Sequence, residues 1–408
     1  MTSISALLRT ALLVVSGVAL GLVITVTVLR LVPEQALAEP ATGAKPLPGA
    51  LLAEEEGPLV EVLLHYVPKA EPVLWEPYRD FLGTLDPSTR LVAVVPDEPQ
   101  VKQRLQAFLA RIDGTEWLWK RTRVVVVPGP ISPWSKDRAL VMSPPAGEST
   151  SLLLVPEPPA LRWTERRNDW RTVQLVATAL PHRYQVHRLD LDFDAGDYAV
   201  TRRGLIVDVN LVEKNRGRGL TSGAKLKRFL EAKLGGPVTV LGKQAGDVPP
   251  HHLSMYVTPL GRADGRDVVL VGDPRLSRSI VGSDFTPGEL SADTGQPLKA
   301  DFSATAIARH DRAAEALGAA GFEVVRIPTV AFEDKTYMAY TNGVFASHGD
   351  QRIAWVPRYD IPGLDDLAFA TYRKLGWEVR PVSVRKVYPY HGTIGCLVNV
   401  LSRSPQRS

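Results

Sequence analysis

The chain of 408 residues has one cysteine, Cys396. A lone cysteine makes no internal disulfide, so it is either a packed core residue or a free thiol kept for its reactivity, and composition alone favours the packed residue. Few residues stand out as partners for it. His251 and His252 follow Pro249-Pro250 and read as surface residues or metal ligands. Adjacent strand residues face opposite ways, however, so the two would rarely bind one ion. Asp137 closes a Pro-Trp-Ser-Lys-Asp loop, and Asp194 and Asp197 lie in an Asp-rich stretch that begins at Asp190. By turn chemistry Asp137 is a cap and the later pair belong to a solvated hairpin.

These residues need a frame, and the pattern from about Leu59 onward predicts a mixed α/β one. Short apolar runs of strand length alternate with amphipathic segments of helical length. Predicted strands include Val60–Tyr66, Leu91–Val95, Arg123–Val127, Ser151–Val155, Tyr198–Val200, Leu205–Val209, Val238–Leu241, Met255–Thr258, Val268–Val271, Glu323–Ile327, Ile353–Val356 and Glu378–Val382. Helical spacing runs through Gln100–Ile112, Asp169–Ala179, Ala224–Lys233, Ala304–Ala319 and Leu364–Leu375, with Gly376 placed as a C-terminal cap. The strand-helix-strand order recurs without a residue-level repeat, which fits either a radial propeller or a doubly wound sheet.

Ahead of this body, Ala11 to Leu29 is an uninterrupted apolar run between Arg9 and Arg30, long enough to span a bilayer. Ala36-Leu37-Ala38 fits a signal-peptidase site, so residues 1–32 read as a single-pass anchor or an export signal; the length of the run favours the anchor. Residues 33–58, rich in Pro, Ala, Gly and Glu, read as a flexible linker, leaving 59–408 as the folded domain. Either case places that domain outside the cytoplasm, membrane-anchored or secreted. Lys and Arg number 48 against 44 acidic residues, a scattered formal charge of +4, so nucleic acid is not an expected partner.

Four ordered segments carry a resemblance. Trp134-Ser-Lys-Asp137 is similar to a Trp-x-Arg-Asp motif, and Asp194-Ala-Gly-Asp197 to an acidic-Gly-Gly-Asn/Asp motif. His252-Leu-Ser254-Met, followed by Thr258-Pro-Leu-Gly261, is similar to a His-x-Asp segment. The C-terminal region runs from Tyr340-Thr-Asn342-Gly to His391-Gly-Thr-Ile-Gly-Cys396 and resembles the closing part of the agmatine deiminases and bacterial peptidylarginine deiminases. These belong to the guanidino-group-modifying (pentein) superfamily. The resemblance implies a five-bladed pseudo-symmetric α/β propeller with its site on the axis. It also implies deimination of a guanidino group through a covalent thiouronium intermediate, with no cofactor and no metal.

By that resemblance Cys396 is the nucleophile, His252 the acid and base, and Asp194 their partner. Asp137, Trp134, Asp197, Ser254 and Asn342 bind the substrate, which is a small guanidino compound or an arginine side chain of a protein. A thiolate is nucleophilic enough to attack the resonance-deactivated carbon, and one imidazole can serve both half-reactions. The sequence departs from the pattern at four places. Ser254 stands where an acid is usual, Gly395 where a histidine commonly precedes the nucleophile, Lys136 for arginine and Ala195 for glycine. The departures leave open an amidinotransferase, in which an amine replaces water, and a non-catalytic membrane-anchored pentein that acts as a binding protein.

Overall fold

The computed structural model describes residues 45–156, 164–263 and 265–404. Among these, the strands form five separate sheets of three or four strands. Most predicted elements stand within a few residues of where periodicity places them: Ser151–Val155, Val238–Leu241 and the helix Ala304–Ala319 coincide. Gly376 adopts φ +79° beyond the helix Pro362–Lys374, as a C-terminal glycine does. Met255–Thr258 is the exception, since a single turn Leu253–Met255 precedes the strand Val257–Ala263.

One order recurs in the sheets: an antiparallel pair, then a helical crossover to a parallel strand. Val344–His348 pairs antiparallel with Gln351–Arg358, and the helix Pro362–Lys374 carries the chain over to the parallel strand Glu378–Ser383. Parallel neighbours require such a crossover, and its helix covers one face of the sheet. The same order relates Leu140–Ser143, Ser151–Val155 and Tyr184–Arg188, with the helix Thr164–Ala179 as crossover. It holds again for Ala199–Thr201, Gly204–Asp208 and Val238–Leu241, and for Val257–Ala263, Arg266–Asp273 and Glu323–Ala331. In the fifth sheet the two ends of the chain meet. The C-terminal strand Val398–Arg403 supplies the antiparallel partner of Leu59–His65, which runs parallel to Arg90–Pro96.

This repetition positions the chemistry. Asp137 comes just before Leu140–Ser143, Asp194 and Asp197 before Ala199–Thr201, His252 before Val257–Ala263, Asn342 before Val344–His348 and Cys396 before Val398–Arg403. Each of these candidates therefore sits at an equivalent point, the entry to the strand that opens the antiparallel pair of its sheet.

The N-terminal boundary differs from expectation. The apolar run Ala11–Leu29 and residues 33–44 lie outside the described residues, and no described helix is long and apolar enough to cross a membrane. Residues 45–58, expected as tether, are built into the body. Leu47 N donates to Lys233 O, Ala50–Leu51 pairs with Met142 and Ser143, and Leu52 N donates to Val141 O. Composition missed this because its few packed side chains, Leu47, Leu51 and Leu52, follow no regular period and are joined by main-chain hydrogen bonds, which leave no mark in the sequence.

Arg403 closes the join by donating to the carbonyls of Glu54, Glu56 and Gly57. A chain begun at Leu59 leaves that guanidinium without these acceptors. We expect it to be less stable than the longer chain by on the order of 3 kcal/mol, the scale of one or two hydrogen bonds to a charged group, read from denaturant midpoints.

Candidate active site

Cys396 lies on the single helical turn Ile394–Leu397 and is 2% exposed. The turn is pinned from two sides. Thr393 Oγ1 donates to the backbone and side-chain oxygens of Asn342, both at 2.6 Å, and Cys396 Sγ lies 3.4 Å from Asn342 Oδ1. From the other side, Lys136 N donates to Cys396 O and Ser135 Oγ to Leu397 O. The Trp-Ser-Lys-Asp loop is thus fastened to the turn that carries the thiol. Gly392 and Gly395 allow the close approach. A Cβ at Gly392 would lie 2.5 Å from the Trp134 ring, and one at Gly395 would lie 2.9 Å from Asn342 Oδ1 and from Gly343 O. A histidine before the nucleophile has no room here.

His252 is buried and enters from the segment ahead of Val257–Ala263. Asn210 Nδ2 donates to Pro249 O and Tyr337 Oη to Pro250 O, which fixes that segment on both sides. The ring stacks on His251 at 4.1 Å, and His251 Nε2 donates to His391 O at 2.9 Å. A Cβ at Gly196 would fall 2.5 Å from His252 Nδ1. The Ala-Gly turn after Asp194 is therefore glycine at that point so that the imidazole can lie against it.

His252 Nε2 is 3.4 Å from Asp194 Oδ2. Burial pushes the imidazole pKa down, but hydrogen bonds with Asp194 and Cys396 and the charges of Asp137 and Asp197 outweigh it and raise the pKa to about 10. His251 moves the other way. Its burial and the charge on His252 hold it well below 6.5, hence neutral. For Asp194, burial favours protonation, yet Lys214, Arg138 and His252 together hold the carboxyl well below its usual range.

Trp134, Asp137, Asp194, His252 and Cys396 line one open cavity of about 640 Å³, a volume suited to a small ligand. The structure brings these five sequence candidates to one cavity. Three other candidates lie outside its lining. Asp197 accepts from Asp194 N and Lys214, at 2.8 and 2.6 Å, as a local brace. Ser254 Oγ accepts from Asn342 Nδ2 at 2.9 Å, and Asn342 supports the thiol. These two are committed to each other within the wall. Ser254 thus faces Asn342 and not the cavity, and Asn342 lies against the Cys396 thiol. Lys136, standing for arginine, pairs with Glu54 at 2.9 Å.

Sequence reasoning missed the cations. Arg166 lies 2.7 Å from Asp137 Oδ2 and 3.3 Å from Asp194 Oδ1, Arg138 is 3.1 Å from Asp194, and Lys214 is 3.2 Å from it. Arg166 and Lys214 also line the cavity. Arg166 stands in a run of charged residues, Thr-Glu-Arg-Arg-Asn-Asp, that looks like a solvated helix start. Arg138 does follow the Asp137 motif directly and could have been noticed there.

Protein-family models and curated proteins give no match to this sequence. Solved structures do. The agmatine deiminase of C. jejuni aligns over 89% of this chain and 97% of its own, with a TM-score of 0.58 at 14% identity. That of Enterococcus faecalis aligns over 88% and 100%, with a TM-score of 0.59 at 15% identity. At such identities the likeness establishes the fold.

The balance at His252 makes a prediction with a definite sign. Its raised pKa contributes stability that is fully present below about pH 6.5 and is lost as pH rises through about 10. An NMR titration should show the His252 ring titrating near 10. Asp194→Asn should bring that value down toward 6.5, since it removes the hydrogen-bonding carboxylate; an unchanged value would contradict the assignment of Asp194.

Proposed function

We propose, from the premise that this chain has the pentein-type α/β fold seen in agmatine deiminases, that it is a cysteine-dependent hydrolase of guanidino groups. The five sheets are then five blades about one axis, and the strand entries of four of them bring Asp137, Asp194, His252 and Cys396 to the cavity. The observation that carries the reading is the convergence of Cys396, His252, Asp137 and Asp194 on the wall of one cavity.

Asp137 and Asp194 orient the planar guanidinium so that its carbon faces Cys396. Holding the reactants in this way accounts for much of the rate advantage of such sites. The thiolate attacks the carbon, and His252, kept protonated at neutral pH, gives its proton to the departing nitrogen, so ammonia or an amine leaves. A thiouronium remains on Cys396. Neutral His252 then takes a proton from water, the hydroxide attacks the same carbon, and the thiolate leaves. The adduct's hydroxyl proton passes to the released ammonia or amine, so the products are a ureido compound and an ammonium ion, and the thiolate and protonated His252 are regenerated. Thr393, bonded to both oxygens of Asn342, holds the turn that carries Cys396 in place through both steps.

The substrate is a free arginine derivative, an agmatine-like compound or a peptidyl arginine. Incubated with a panel of these, the protein should release ammonia or amine together with a ureido product. Cys396→Ala should reduce the rate at least a thousandfold, the scale at which loss of a nucleophile is felt. A complete panel with no product from the intact protein would refute the reading.

We also propose that the site works outside the cytoplasm. The run Ala11–Leu29 is of spanning length, and no charge interrupts it. In cells, protease added outside the cytoplasmic membrane should digest the domain while cytoplasmic markers survive; protection of the domain would place it inside.

A further inference from the structure

The carboxylates that this reading assigns to the substrate already hold a guanidinium, that of Arg166. The side chain enters from the first turn of the helix Thr164–Ala179 and spans Asp137 and Asp194 at 2.7 and 3.3 Å. Two carboxylates on one planar fork is the arrangement that would orient a substrate. Burial disfavours the charge on Arg166, but Asp137, Asp194 and Asp169 outweigh that and hold it firmly cationic.

Asp194 has other partners in Arg138, Lys214 and His252. Asp137 has none: among the described residues Arg166 is the only cation within ion-pairing distance of it. At Asp137 and Asp194 an incoming guanidinium therefore meets no uncompensated carboxylate until Arg166 moves.

We propose that Arg166 is a resident occupant of the guanidinium seat, so that substrate binds by exchange with it and Arg166 determines which guanidino compounds are accepted. A second anchor makes the exchange feasible. Asp169, one turn further along the same helix and fully buried, lies 3.6 Å from Arg166 Nη1 and is itself fixed by Ser132 N and Oγ. Arg166 can leave Asp137 and Asp194 while keeping that partner.

An internal ligand competes at high effective concentration, so a compound that offers only a guanidinium loses to it. A compound that also binds the cavity rim, where Asp293, Asp334 and Tyr390 stand, has additional contacts with which to win. The accepted substrate class is thus an extended guanidino compound with a second binding group, and small alkylguanidines are excluded.

The inference rests on the guanidino-hydrolase reading, and one experiment separates the failure of each. Full-length protein is treated with 2-chloroacetamidine, a small cationic mimic of the guanidinium group, or with neutral iodoacetamide, and alkylation of Cys396 is followed by mass spectrometry. In Arg166→Gln the half-saturating concentration of chloroacetamidine should fall about tenfold, the worth of one charge-assisted hydrogen bond. The iodoacetamide rate should change by less than this, so that the gain is specific to the cationic reagent, which a merely structural role of Arg166 would not produce.

The double variant Asp137→Asn, Arg166→Gln has no lone buried carboxylate and no seat, and should lose the gain. If Arg166→Gln does not fold, Arg166→Lys should shift the same way, since it retains a charge for Asp137 but not the two-pronged fork. Equal half-saturating concentrations in wild type and variant would overturn the role of Arg166 alone. Alkylation by iodoacetamide but not by chloroacetamidine in every form would overturn the hydrolase reading and this inference together.

Discussion

A buried imidazole stays charged only where nearby anions outweigh the loss of water, and the account of this protein depends on that balance at His252. Desolvation alone would strip the proton. Asp194, in direct contact, and Asp137 and Asp197, acting at longer range, reverse the outcome. A protonated acid beside a sulfur nucleophile is what expulsion of nitrogen from a guanidinium requires. The neighbouring His251 shows the contrast. With no carboxylate among its stabilising partners, it is held neutral and serves as a stacked support bonded to His391 O.

Architecture makes that balance possible by bringing together residues far apart in sequence. Asp137, Asp194, His252, Asn342 and Cys396 stand at corresponding places in five sheets, each just ahead of the strand that opens an antiparallel pair. Segments at such points are fixed at one end by the ladder and can present a side chain with little loss of order. Glycines at 196, 392 and 395 let the segments approach until side chains touch backbone. Closure between Val398–Arg403 and Leu59–His65 brings the last segment, with the thiol, against the first sheet.

Much of this was legible in the sequence, for identifiable reasons. Strands such as Ser151–Val155 and helices such as Ala304–Ala319 carry their own apolar period. The strands that escaped, among them Leu140–Ser143, Tyr337–Ala339 and Val398–Arg403, are short, or polar on one face and built partly by backbone pairing. The helix Glu71–Leu82 was hidden by Pro72 and Pro77, residues that normally argue against a helix. The same limit hid residues 45–58, whose place depends on main-chain hydrogen bonds.

Cys396, His252, Asp194, Asp137 and Trp134, which share one cavity, could be singled out because each lies in a recognisable local motif. Ser254 and Asn342 were assigned to the substrate because their contact with each other is non-local and invisible in sequence. Arg166 carries no local mark: its importance comes only from where its helix points it. Ionic partners in a cavity are set by tertiary placement, and a charge run gives no hint of which member turns inward.

The central claim is that Cys396 forms a bond to the guanidinium carbon and that His252 governs its formation and release. The direct measurement is the intact mass of the protein, acid-quenched during turnover of a slow guanidino substrate, followed by peptide mapping. The account predicts a transient amidino adduct on Cys396 that disappears as product accumulates. Turnover with Cys396 unmodified throughout, or with an adduct on any other residue, would contradict it.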